Sequence, residues 1–158
     1  MKVLLGSDKS GFSLKEAIKE YLIGQNYEVE DLGTQSPDAP MPFFKTAPIV
    51  AEKISSGEAE RGILICGTGM GMSQVANKYP NVRAAVVEST YSAKMCRAIN
   101  DSNILALGGW VIAPELGIEM VKAFLQTEFT QDLEEWRQEA LKGAKKEFAA
   151  LEKTIYAK

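Results

Sequence analysis

Histidine is missing from the sequence altogether. Imidazole is the usual proton carrier near neutral pH and a common metal ligand. Its absence excludes His-based catalytic triads and every His-ligated metal. Cysteine occurs only as Cys66 and Cys96, with no Cys-x-x-Cys partner and no metal-ligand spacing. Two such thiols predict a reducing cytoplasm and no bound metal. Apolar runs stay far short of the roughly 18 residues that mark a membrane span, so no membrane association is expected. Positive charge is not in excess: 18 Lys and Arg face 21 Asp and Glu, a net charge of −3. Nucleic acid is therefore a poor partner. Met1 leads straight into the strand-like Lys2 to Leu5, and no targeting peptide is expected.

What is present is a regular alternation. Short apolar runs at 2–7, 27–32, 61–66, 82–87 and 103–107 read as strands. Segments with helical spacing follow at 12–23, 46–55, 70–78, 91–99 and 114–125. Gly24 is the expected C-cap of the first helix. Pro37, Pro40 and Pro42 interrupt both periods, so 35–44 reads as an ordered loop. Pro48 is expected in the first turn of the second helix. The strands are continuous apolar runs, as expected when both faces of a sheet are covered. The pattern predicts one α/β domain over 1–158, a doubly wound three-layer sandwich around a five-stranded parallel sheet. An extended C-terminal helix, about 132–155, exceeds what such a unit needs. Its stripe of Leu133, Trp136, Ala140, Leu141, Ala144, Phe148 and Leu151 predicts packing on a second chain, ahead of packing on its own domain.

The chemistry concentrates in Gly62-Ile63-Leu64-Ile65-Cys66-Gly67-Thr68-Gly69-Met70-Gly71-Met72-Ser73. A buried strand ends in a thiol, three glycines follow at alternate positions, and a helix begins. Such a turn aims backbone N–H groups at one point, where the helix dipole also favours negative charge. A thiol in that setting can serve as a base or nucleophile. Ligands of parallel sheets bind beyond the carboxyl ends of the strands. Those ends bring Asp8, Lys9, Gly33, Thr34, Glu88, Gly108 and Gly109 to the mouth that holds Cys66. The glycine spacing is not Gly-x-Gly-x-x-Gly and no Gly-Lys-Ser/Thr follows, so the Walker loop is excluded and the dinucleotide fingerprint is poor. Plainer readings compete: turn-forming glycines, Cys66 as a small buried hydrophobe, Asp8 as a helix cap, Lys9 as a surface charge. Cys96 is expected in the interior. The side chains of Met70 and Met72 are expected to pack, and Arg83, Lys94 and Arg97 to lie at the surface.

With these blocks the sequence resembles ribose-5-phosphate isomerase B and the galactose-6-phosphate isomerase subunits. The likeness is carried by Gly6-Ser7-Asp8-x-x-Gly11-Phe12, the Cys66–Ser73 block, Ala76-Asn77-Lys78, Tyr91-Ser92-Ala93 and Asn100-Asp101-x-Asn103-x-Leu105-Ala106-Leu107-Gly108. It runs from Lys2 to about Phe129. The resemblance implies aldose–ketose isomerisation of a sugar phosphate through an enediolate, without metal or organic cofactor. It also implies homodimers or tetramers with active sites shared between subunits. Cys66 matches the proton-abstracting base. The amides of Gly67, Gly69, Met70 and Gly71 match an oxyanion hole, and Thr68 an assisting residue. Asp8 and Asn100 match substrate-binding positions, Asn100 reaching in from a neighbouring chain.

The departures from that family carry information. Lys9 and Ile99 stand where isomerase B sequences have histidine, Trp110 and Leu133 where they have arginine, and Phe43 where they have tyrosine. Ile99 cannot protonate a ring oxygen. A substrate other than ribose 5-phosphate is therefore expected, a tetrose or hexose phosphate, with Lys9 and Arg137 as the remaining phosphate contacts. The competing functions are a non-catalytic sugar-phosphate-binding subunit paired with an active paralogue, and a nucleotide-binding oxidoreductase.

Overall fold

The computed structural model describes residues 1–157. Five strands alternate with helices: β1 (Lys2–Ser7), α1 (Phe12–Gly24), β2 (Glu28–Gly33), α2 (Phe43–Ser55), β3 (Arg61–Cys66), α3 (Met70–Ala76), β4 (Ala84–Val86), α4 (Thr90–Ala98), β5 (Ile104–Gly108), α5 (Pro114–Leu125) and α6 (Glu135–Tyr156). All strand pairs are parallel, in the order β2-β1-β3-β5-β4. The expected doubly wound sandwich is the one found.

The continuous apolar runs have a direct cause. Val3, Leu5, Ile63, Ile65, Leu105 and Leu107 face α1, α4 and α5, where Leu14, Ile18, Ala93, Met120 and Phe124 meet them. Leu4, Leu64, Cys66 and Ile104 face the other way, onto Ala47 and Val50 of α2 and Met72 and Ala76 of α3. Each fully buried Leu or Ile contributes about 1.5–3 kcal/mol relative to exposure. With both layers occupied, every position of β1, β3 and β5 is buried except the first residues Lys2 and Arg61, which are partly exposed.

Local differences have local reasons. Gly24 lies inside α1 and not at its cap; the chain reverses at Asn26, whose φ is 62°. Asparagine tolerates that left-handed conformation because its short polar side chain bonds locally. α2 begins at Phe43, three residues before the expected start. Pro42 caps it in extended conformation, and its carbonyl accepts the N–H of Lys45 and Thr46. Pro48 is thus the sixth residue of α2, past the first turn. β4 is shorter than expected, as suits an edge strand.

The two edges of the sheet carry different residues. Ser7, Gly33, Cys66 and Gly108 end their strands at the carboxyl edge. Asn100 and Asp101 precede β5, at the opposite edge. No residue of α6 is buried, and Trp136, Phe148 and Leu151 are 71%, 51% and 58% exposed. α6 meets the body through polar contacts: Glu152 accepts the Asn81 N–H at 2.9 Å, and Lys145 reaches Asp101. Between helix and body runs a groove of about 640 Å³, lined by Ile99, Asn100, Phe129, Leu141, Phe148 and Ile155 among others.

Candidate functional site

β3 delivers Cys66 to the carboxyl edge, in register with Gly108 of β5. Its side chain is 6% exposed and packs on the α2–α3 side. The chain then turns into α3. Gly69 takes φ +78°, a left-handed conformation open to glycine, and serves as the helix N-cap. That turn folds the loop back on the thiol, so the Gly69 N–H donates to Cys66 Sγ at 3.1 Å. The Met70 N–H donates to Thr68 Oγ1 at 3.3 Å. Among the described residues, the N–H groups of Gly67, Thr68 and Gly71 find no protein acceptor. These N–H groups are left without a partner in the loop that follows Cys66, at the start of a helix, where backbone donors and the helix dipole favour negative charge.

The surroundings hold that loop in place. The Gly109 N–H donates to the Cys66 carbonyl at 2.7 Å and the Trp110 N–H to the Gly67 carbonyl at 3.0 Å. The Trp110 indole lies against Gly67, where a β-carbon would come within 2.7 Å of the ring. Phe43 lies against Gly71 in the same way, at 2.9 Å. Asp8 does not cap α1, whose N-cap is Gly11 without a side-chain cap; its Oδ1 accepts the Gly11 N–H at 3.0 Å and closes the turn before the helix. Asp8 is also tied to the strand beside Cys66, its N–H donating to the Ile65 carbonyl at 3.2 Å. Lys9 is exposed next to it. The Met72 side chain is buried as expected, whereas Met70 is 53% exposed and does not pack.

Asp8, Lys9, Cys66, Thr68 and the loop Gly67–Gly71 therefore share one mouth. Asn100 and Arg137 do not join them within one chain. Asn100 is exposed beyond α4, and Arg137 lies half-buried in the first turn of α6. Among the described residues no cluster of three metal-ligating side chains forms.

Cys96 is interior as expected. Burial pushes its thiol up to about 11, and its Sγ donates to the Ala93 carbonyl at 3.3 Å. Arg97 is not a surface charge. It is 2% exposed, with Nη1 on Asp101 Oδ1 at 2.8 Å and on the Ser102 carbonyl at 2.7 Å, and Nε on the Thr127 carbonyl at 3.3 Å. Arg83 is also drawn in, donating to the Asp101 carbonyl at 2.9 Å, while Lys94 does lie on the surface, paired with Asp132 at 2.8 Å. Burial alone would raise the Asp101 carboxyl, but Lys145 and Arg97 outweigh it and hold the group below the usual carboxylate range. This network braces the Asn100–Asp101 turn, where Asp101 takes φ 50°. Sequence reasoning missed it; the one available signal was the Arg97/Asp101 spacing of four residues.

A parallel α/β sheet with a thiol and unpaired backbone amides at the end of its central strand has these groups where ligands of such sheets bind. A family model for Ribose/Galactose Isomerase matches residues 3–141, and the chain belongs to that family. It is 64% identical over 158 residues to the 4-deoxy-4-sulfo-D-erythrose isomerase of Clostridium sp. (strain MSTE9), covering 100% of this chain and 99% of the relative. It is 39% identical over 130 residues to the D-erythrulose-4-phosphate isomerase of Pectobacterium atrosepticum, covering 82% and 85%. Among solved structures, ribose-5-phosphate isomerase B of Clostridium thermocellum superposes with a TM-score of 0.86 at 39% identity, over 98% of this chain and 99% of that one. The protein is thus an isomerase of the sugar-phosphate class.

Proposed function

We propose that this isomerase interconverts a four-carbon aldose and its ketose, each ending in a tetrahedral anion carried on carbon 4, with sulfonate as the leading terminal group. The names of the two relatives above support a four-carbon chain. So does Ile99. A tetrose whose carbon 4 bears the anion has no free hydroxyl there to close a five-membered ring, so it needs no acid to open one. Lys9 and Arg137 are the cations assigned to the terminal anion.

The observation that carries the reading is Cys66 beside the unspent amides of Gly67, Thr68 and Gly71. Cys66, as thiolate, removes the proton from carbon 2 of the aldose. The C–H electron pair becomes the C1–C2 double bond and the carbonyl pair moves onto O1. The amides stabilise that charge; one such donor is worth about 100–1000-fold in rate. The proton then returns to carbon 1 while the O2 hydroxyl proton passes to O1, and the ketose results. Every atom and electron balances without an oxidant or cofactor.

The active unit in this reading is a homodimer or a pair of dimers. Its support is the uncovered stripe of α6 and the separation of Asn100 and Arg137 from the Cys66 of their own chain. A second copy seated on that face supplies both residues.

The test is turnover of 4-deoxy-4-sulfoerythrose, erythrose 4-phosphate and ribose 5-phosphate in deuterated water. Deuterium is expected at carbon 1 of the ketose from the four-carbon substrates, and Cys66→Ala is expected to abolish it while ligand binding survives. Binding without exchange in the wild type would instead mark a non-catalytic subunit. Exchange that persists in Cys66→Ala would remove the thiol from the mechanism.

A further inference from the structure

We infer that Trp110 is a specificity-determining residue that limits the length of the substrate's tail; this rests on the four-carbon reading above. Trp110 is 75% exposed, the most exposed of the large apolar side chains. Packing within one chain does not account for this side chain, because most of its apolar area stays in water there. Yet its place is closely fixed. The turn 108–112 is closed by the Val111 and Ile112 N–H groups on the Gly108 carbonyl, at 3.0 and 2.9 Å. Gly109 passes so near Ser10 that a β-carbon there would lie 2.5 Å from its carbonyl oxygen. The six-membered half of the indole rests on Gly67, with Cδ2 and Cε3 each 2.7 Å and Cζ3 2.8 Å from where a β-carbon would stand. Gly67 directly follows Cys66 and opens the amide loop. The indole therefore lines the mouth at the start of the loop, beside Cys66, and Phe43 stands at Gly71, the other end of the loop.

An apolar wall suits one kind of tail. In a 4-sulfonate the sulfur is bonded directly to a CH2 group, so the group next to the wall is hydrocarbon. A phosphate ester interposes an oxygen and ends one bond later, and a pentose phosphate ends later still. Each added atom must displace the indole or leave the terminal anion short of its cations. Discrimination by one methylene-sized unit in an apolar site is about 10–200-fold.

The experiment measures kcat/KM for 4-deoxy-4-sulfoerythrose, erythrose 4-phosphate and ribose 5-phosphate with wild type, Trp110→Ala, Trp110→Leu and Trp110→Phe. Trp110→Ala is expected to raise the ratio of pentose phosphate to sulfotetrose by about tenfold or more, chiefly through KM. Trp110→Leu is expected to fall between Ala and wild type, and Trp110→Phe to stay near wild type. A ratio that moves less than about twofold in both Ala and Leu variants overturns the inference, as does an equal loss on all three substrates, which marks a merely structural side chain. If Trp110→Ala does not fold, the ratio measured with Trp110→Leu decides by the same criterion. A wild type inactive on every four-carbon substrate refutes the proposed function itself, before any variant is compared, and takes this inference with it.

Discussion

Gly69→Ala places a single methyl group where the loop can least accept it. The left-handed conformation at φ +78° costs an L-residue about 1–2 kcal/mol. The new β-carbon would also lie 3.0 Å from the Leu107 carbonyl carbon and 3.2 Å from the Ala106 carbonyl carbon and oxygen. Those atoms belong to β5, which is paired on both sides and cannot swing away as a side chain would. Overpacking of that kind costs about 1–3 kcal/mol more. A loss of about 2–5 kcal/mol leaves a folded protein if the starting stability is ordinary, about 5–15 kcal/mol. The activity consequence is larger in proportion. The Gly69 N–H that holds Cys66 Sγ at 3.1 Å shifts with the backbone, and the adjoining amides shift with it. Deuterium exchange at the substrate carbon is expected to fall about 100–1000-fold. Gly69→Asn separates the two contributions, since asparagine relieves the dihedral strain but keeps the β-carbon contact. Urea unfolding and exchange are measured on the same samples. A stability change below about 0.5 kcal/mol with full exchange activity would refute the picture of a rigid, preorganised loop.

Other consequences follow from the same structure. Arg97→Met removes a guanidinium that bonds Asp101 and two carbonyls, and a loss of about 3–5 kcal/mol in urea unfolding is expected, because its partners stay buried. Asp101 releases its proton more readily folded than unfolded, so its stabilisation is full above about pH 4 and disappears as the pH falls through the lowered folded-state value. Wild type and Asp101→Asn are therefore expected to differ at pH 7 and to converge in acid melts; a gap unchanged at low pH would contradict this. Cys96, raised to about 11, is expected to resist alkylation at pH 8 until urea unfolds the protein, as read by mass spectrometry. The double variant Trp136→Asp, Phe148→Asp is expected to yield monomers by light scattering, with wild-type mass in the variant counting against α6 as an interface.

The fold was legible because its signals are local and repeated. Each strand of the central three has a short run of buried aliphatics, and each ends at a glycine, a serine or the thiol before a helix. Boundaries were legible where the local pattern stops sharply, as at β1, β3 and α5, whose expected and observed limits agree. Ser89 caps α4, its hydroxyl accepting the Ser92 N–H at 3.1 Å, so the helix begins at Thr90, one residue before the expected start. Pro42 reads as loop because a proline's effect on sheet and helix interiors is the stronger prior, yet a proline also suits a helix entrance. Gly24 does not cap α1 because Asn26 provides the left-handed turn two residues later.

The geometry of the candidate mouth was legible to the extent that it is built of backbone. Cys66 and the Gly67–Gly71 loop could be placed from sequence since a strand end, a turn and a helix start fix where amides point. Charged side chains offer no such rule. Arg97 follows a cysteine on an amphipathic helix and Lys15 sits in the first turn of another, positions that ordinarily face water. Lys15 is instead fully buried, on Asp31 at 2.8 Å and the Thr34 carbonyl at 2.7 Å. Glu16 beside it adds a third contact at 3.1 Å, but Asp31 and Thr34 are far from it in sequence, and burying an ammonium is unfavourable until such partners are present. The Thr34 side chain in turn accepts the Met41 N–H at 2.9 Å, which ties down the proline loop just before Phe43 and so fixes the ring against Gly71. A lysine in the layer behind the sheet thus helps to set one side of the mouth. That dependence exists only after β1 and β2 have paired, so no reading of α1 alone could have revealed it.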